Sequence, residues 1–240
     1  PYLTKIFDDL LSINEQAVFN RDVSNFMEAV VSAKQQERLG DTHRLHAGDI
    51  PISGIIEQKN FSVKVLAPFT EMIDNKECFV YWSDESKTIN GHSLVLSLQF
   101  GSRRFLFGGD LNSKSEEYIL SKYENSNPFE VDVLKSCHHG SSDFTEAFMQ
   151  KVHPYATIIS SGDNESYAHP RADAIGCAGK YGKGSRPLVY STELARSVSA
   201  SKIIFGLINV RCNGTDVFIN QMKEAGHPAD LWDAYRLPDA

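Results

Sequence analysis

Residues 90–111 read NGHSLVLSLQFGSRRFLFGGDL, two strongly apolar runs separated by Gly101-Ser102. A two-residue Gly-X loop between such runs predicts a tight hairpin. The second run ends on Gly108-Gly109-Asp110, a carboxylate placed directly after a buried strand. Downstream the chain alternates: a helix carrying Glu116, Glu117, Tyr118 and Leu120, a strand VDVLKS, a helix through Phe144 and Phe148, a strand ATIISSG, a helix opened by Pro170, and a strand PLVYST. Strands alternating with helices predict layered α/β packing. The tail adds SKIIFGLINVR and TDVFINQ around Asn213-Gly214, a strong hairpin signal.

Upstream, IPISGII and FSVKVLAPF read as a hairpin or two neighbouring strands, and the polar stretch from Asn75 to Asn90 reads as a loop. Leu3, Ile6, Phe7, Leu10 and Leu11, then Phe26, Ala29, Val30 and Ala33, fall at helical spacing and predict two helices before Glu37. The organisation expected is a helical segment over residues 1–40 and an α/β domain over 41–240 with a C-terminal β-hairpin extension.

Composition narrows the class. With 240 residues, 41% hydrophobic and 23% charged, the chain is long enough for a substantial core and is neither disordered nor collagenous. No apolar run is long enough to span a bilayer. A net charge of −7 gives no general basic surface, so a nucleic-acid role needs a local patch or bound metal ions. Cys78, Cys137, Cys177 and Cys212 form no CxxC pair and read as reduced thiols of a cytoplasmic protein. No signal peptide is visible in PYLTKIFDDLL, and the lack of an initiator Met suggests a start inside a longer product.

Three loops place acid/base or metal-compatible side chains just after strands. Asp110 is either a metal ligand or the N-cap of the following helix. In Cys137-His138-His139-Gly140-Ser141-Ser142, adjacent histidines point in different directions, so one can ligate an ion while the other orients it or meets substrate, and a serine is placed to cap the next helix. In residues 161–170, SGDNESYAHP, His169 stands beside a helix N-terminus and has a plain packing role as its alternative. His43 and His46 form HxxH without the glutamate a zinc protease needs. His92 is ambiguous, Gly182-Lys183-Gly184-Ser185 lacks the phosphate-loop spacing, and Cys137 has no legible catalytic partner set.

The order GGD, HHGS and xHP, carried by residues 90–111, 131–170 and 187–197 and reaching back to Leu45, resembles the second half of the metallo-β-lactamase-fold domains found at the end of ComEC-type DNA-competence proteins. The resemblance implies an αββα sandwich with one or two divalent metal ions at one rim, zinc first and manganese or iron as alternatives. It implies Asp110, His138 and His139 as catalytic, Ser141 and His169 as substrate contacts, and Asp110, His138 and His169 as metal ligands. The chemistry implied is hydrolysis of a phosphodiester, as in a nuclease, by a metal-bound hydroxide. The HxHxDH signature of the first half is not in these residues. The expectation is therefore that a further N-terminal half or a partner protein completes the site. The alternative is a catalytically inactive member of the fold that serves as an interaction subunit, with Trp232 and Tyr235 in the tail LWDAYRLPDA as candidate docking aromatics.

Overall fold

The computed structural model describes residues 2–3, 21–40, 45–49, 60–162, 166–193, 206–222 and 232–238. The expected strand IPISGII, the helix expected over residues 6–11, and His43 lie outside them.

The elements in chain order are β1 (Tyr2–Leu3), α1 (Arg21–Gln35), β2 (Phe61–Ala67), β3 (Glu71–Ile73), β4 (Lys76–Val80), α2 (Glu85–Gly91), β5 (Val95–Phe100) and β6 (Arg103–Phe107). Then come α3 (Ser113–Lys122), β7 (Val133–Lys135), a short 3-10 turn (Cys137–Gly140), α4 (Glu146–Val152), β8 (Ala156–Ile159), α5 (Ala172–Tyr181), β9 (Leu188–Ser191), β10 (Ile208–Cys212), β11 (Val217–Met222) and β12 (Trp232–Arg236). The fold is α/β. A six-stranded mixed sheet runs β2-β5-β6-β7-β8-β9, with β2-β5-β6 antiparallel and β6 to β9 parallel. Each parallel step is made through one helix, as parallel neighbours require.

Alternation along the strands divides the core into two layers. Leu106 and Leu134 face one side, where they pack with Leu111, Ile119 of α3 and Phe148 and Val152 of α4. Phe105, Val133 and Ala156 face the other, where they meet Val217, Ile219 and Leu237 from the region of a second sheet, β10-β11-β12. Helices, mixed sheet and small antiparallel sheet are thus three successive layers among the described residues.

Two hairpin tips lock the sheets together. Gly101 turns the β5–β6 hairpin with φ +59, and a Cβ there would sit 2.2 Å from the Gly214 carbonyl at the β10–β11 tip, so only glycine allows this approach. Ser102 N–H donates to that same carbonyl at 2.8 Å. Beside it the buried Arg103 guanidinium donates to the carbonyls of Thr215 and Pro238 and to the Asp132 carboxylate.

Four local expectations are corrected. The stretch 75–90 is not a loop: β4 pairs with β3, and α2 is capped by Asp84, whose carboxylate accepts from Lys87 N–H at 2.7 Å. Leu3 belongs to a strand paired with β4, not to a helix. The α5 helix begins at Ala172 with Arg171 as N-cap, two residues beyond the expected start at Pro170. A third strand, β12, extends the C-terminal hairpin through pairing with β11. Tyr235 on it packs edge to face against Tyr190, whereas Trp232 is exposed.

Candidate functional site

The carboxyl ends of β6, β7 and β8 lie side by side, and the three loops singled out in the sequence leave from them. Ligands in open α/β sheets bind beyond these strand ends. Two glycine contacts let the loops close on one another. A Cβ on Gly108 would lie 2.5 Å from Cys137 Sγ, and one on Gly140 would lie 2.8 Å from Pro170 Cβ and 3.0 Å from Ile159 Cγ2. Backbone bonds then stitch them: His138 N–H donates to Gly109 O at 3.0 Å, and Arg171 N–H donates to Gly140 O at 2.8 Å.

The HHG turn is unusual. His138, His139 and Gly140 all have positive φ, at 45, 55 and 77. Consecutive left-handed residues cost about 1–2 kcal/mol each when not glycine, and strain of this kind gathers at functional sites. Its effect here is to send the two imidazoles in different directions.

His139 faces Asp110. Its Nδ1 lies 2.7 Å from the Ser160 carbonyl, which only accepts, so Nδ1 carries the proton and Nε2 presents a lone pair in the neutral ring. That Nε2 stands 3.5 Å from Asp110 Oδ1. Asp110 does not cap the next helix, since Asn112 takes that place in a reciprocal capping box with Ser115. Instead the Asp110 backbone N–H donates to Ser93 Oγ at 2.9 Å, leaving the carboxylate at the rim.

His138 turns the other way. Its Nε2 is 3.5 Å from Asn90 Nδ2, its ring meets His169 edge to face at 5.8 Å, and its Nδ1 is buried without a hydrogen-bond partner. His169 is buried, beneath a stacked Tyr167. Ser141 braces the turn: its N–H donates to His138 O at 2.9 Å and its Oγ accepts from Asp143 N–H at 3.2 Å. Thr145, not a serine of HHGSS, caps α4.

The rim has a defined floor. Glu116 is buried and accepts from the backbone N–H and the hydroxyl of Thr145. Loss of solvent pushes its carboxyl up to about 8, against the opposing bonds from Thr145. Burial pushes the Cys137 thiol up as well, which disfavours its thiolate. A cavity of about 30 Å³ lies between them, bounded also by Ser141, Thr145 and Cys177.

The remaining candidates stand apart. His92 is stacked on Trp82 at 4.5 Å and donates from Nε2 to Val80 O at 2.7 Å; burial holds its pKa below the usual value. His46 sits between Asp49 and Glu77, at 3.2 and 3.3 Å. Lys183 is bound to Glu130 at 2.7 Å. Asn90, Ser93 and Ser160 are the site residues that the sequence reading lacks, for they act on the histidines and Asp110 from strand ends and turns with no motif of their own.

The Asp110–His139 pair fits one edge of a metal site. Two ligands on a tetrahedral ion with bonds near 2.0–2.1 Å are roughly 3.3 Å apart, close to the 3.5 Å between these donors. A catalytic zinc takes three protein ligands. No group of three or more His, Cys, Asp or Glu side chains is arranged to hold an ion among the described residues.

Comparison with known proteins gives no matching family model. The chain is 39% identical over 87 residues, 36% of its length, to ComE operon protein 3 of Bacillus subtilis (strain 168), and covers 11% of that protein. It is 38% identical over 82 residues, 34% of its length, to Competence protein ComA of Neisseria gonorrhoeae, of which it covers 12%. The chain therefore matches only a short portion of these much longer proteins.

Proposed function

We propose that the chain carries part of a metallo-β-lactamase-like, metal-dependent hydrolase that cleaves phosphodiester bonds of nucleic acid. The observation that carries this reading is the Asp110–His139 pair at the carboxyl ends of parallel strands, with the imidazole tautomer set by Ser160 and Asp110 anchored through Ser93. The packing of helices, mixed sheet and second sheet supports the fold assignment. The likeness to a protein named for competence supports a DNA substrate.

Within this reading Asp110 and His139 would hold the ion. A bound divalent ion would lower the pKa of its water and neutralise charge on the phosphoryl group. The chain's own residues set the geometry. Ser160 O accepts from His139 Nδ1 and so leaves Nε2 as the nitrogen that would meet an ion, an orienting bond of the kind that accompanies most metal-bound histidines. His138 packs beside them, against His169 and Asn90. Arg171, exposed and tied by its backbone to Gly140, supplies local positive charge on an otherwise acidic chain.

Incubation with end-labelled single-stranded DNA and Zn²⁺ or Mn²⁺ tests this. Cleavage that chelator, Asp110→Ala and His139→Ala each abolish is the expected result. Absence of cleavage by the wild-type protein in every metal would leave the other reading, a non-catalytic interaction subunit. That reading draws on exposed Phe218 and Trp232, which stand on β11 and β12 of the small sheet.

A further inference from the structure

The small sheet β10-β11-β12 packs one of its two faces. Val210, Ile219 and Tyr235 form one cross-strand row and belong to the core beneath the mixed sheet. Side chains alternate along a strand, so the rows on either side of this one point away from that core. One outward row is Arg211, Phe218 and Arg236, and the other is Asn209, Asn220 and Ala234. Phe218 is 42% exposed and stands between two exposed arginines. A second exposed ring, Trp232, is paired with Met222 in the outward row beyond Asn220.

An exposed aromatic that anchors a protein sits within contiguous apolar surface. Phe218 has no such setting: its cross-strand neighbours are the two arginines, and two residues away along the chain stand Asp216 and Asn220. A ring framed by cations and amides suits a partner that is flat, negatively charged and edged with hydrogen-bonding groups. An unpaired nucleotide is all three. Its base stacks on an aromatic, its phosphate takes a guanidinium through two parallel bonds, and its base edge meets amides.

The distribution of charge points the same way. The chain carries a net −7, yet no outward position of these three strands holds a carboxylate. Asp216, in the turn between β10 and β11, is bound to Arg236. Arg211 is oriented by an uncharged group instead: its Nε donates to Asn209 Oδ1 at 2.9 Å, a bond in which its two terminal nitrogens take no part. A local cation beside an aromatic is what an acidic chain needs to hold a polyanion at short range.

We infer that the outward face of β10-β11-β12 is a binding surface for an unpaired nucleic-acid strand, with one base stacked on Phe218 and the adjoining phosphate on Arg211. It goes beyond the hydrolase reading, since it needs neither a metal ion nor the Asp110–His139 pair. A base within a duplex has no free face to offer and cannot take this place.

The test is fluorescence anisotropy of the protein in the presence of chelator, with two labelled strands of equal length and charge, oligothymidylate and its abasic counterpart. Wild type is expected to prefer the base-bearing strand by at least about 5-fold, the lower end for stacking one base, and Phe218→Ala to remove that much of the preference. Phe218→Tyr is expected to keep it. Arg211→Gln is expected to weaken both strands alike and to lower the slope of log affinity against log salt by about 0.7, the value for one phosphate contact on a single strand. A wild-type ratio of one, a ratio unchanged in Phe218→Ala, or an affinity unchanged in Arg211→Gln overturns the inference. Failure of wild type to bind either strand does so too, and leaves this face to the protein-docking reading. The outcome is independent of cleavage: base-dependent binding without metal, in a protein that never cuts DNA, keeps this surface and removes only the hydrolase reading.

Discussion

Replacing Glu116 with glutamine should change how stability depends on pH. The carboxyl is 2% exposed beneath the HHGS loop, and burial moves its pKa from 4.5 to about 8. In the folded chain it keeps its proton until about pH 8, whereas in the unfolded chain it gives the proton up near 4.5. Between these values the folded state binds more protons, so stability is fully present below 4.5 and falls as pH rises toward 8. The slope is a little over 1 kcal/mol per pH unit and the total is about 5 kcal/mol. Glu116→Gln keeps an amide oxygen to accept from Thr145 and has no charge to desolvate, so its slope from this position is zero. The gap in unfolding free energy between variant and wild type should therefore widen by about 4 kcal/mol from pH 5 to pH 8. His92 acts oppositely, because burial holds it neutral and stability is lost as pH falls below 6.5, but it is present in both proteins and cancels. Urea unfolding midpoints at constant slope, measured at four pH values across this range, give the comparison. Parallel profiles for the two proteins would refute the reasoning.

The other consequences are more local. Gly140→Ala puts a methyl into Pro170 and Ile159 at a left-handed position, so it should lower stability by about 1–3 kcal/mol and weaken zinc binding, read by thermal melts and metal titration. Arg103→Met leaves the Asp132 carboxylate without its guanidinium and releases Thr215 and Pro238; a loss of about 3–5 kcal/mol is expected in urea unfolding, with little rescue by Arg103→Lys, whose compact ammonium cannot reach three acceptors set around a planar guanidinium. Cys137, its thiol held protonated and tucked against Gly108, should resist iodoacetamide at pH 8 in the folded protein and react once unfolded, as peptide mapping would show.

The parts of the fold legible in the sequence are those fixed by local pattern. The β5–β6 hairpin announces itself through Gly101-Ser102 between apolar runs, and the strand–helix alternation from α3 to β9 follows from periodicity and turn residues. Elements stabilised from a distance are not legible in this way. The α2 sequence ESKTING has almost no apolar stripe, and the helix is held by the Asp84 cap and by Gly91, where a Cβ would lie 2.2 Å from the Trp82 ring. Strand β4 depends on its pairing with β3 and β1. Of the site, the three loops could be found because each follows a buried strand. The resemblance groups Asp110 with both histidines and His138 with His169, but which histidine faces Asp110 could not be read, because it depends on two successive left-handed histidines and on a carbonyl, Ser160, that any residue could have supplied.

The central claim is that Asp110 and His139 are two ligands of one metal ion. Native mass spectrometry of the protein loaded with Zn²⁺ measures it directly alongside Asp110→Ala and His139→Ala. The expected result is a bound ion in the wild-type protein that each substitution removes, with folding unchanged by circular dichroism. Zinc retained by both variants, or never bound by the wild-type protein, would contradict it.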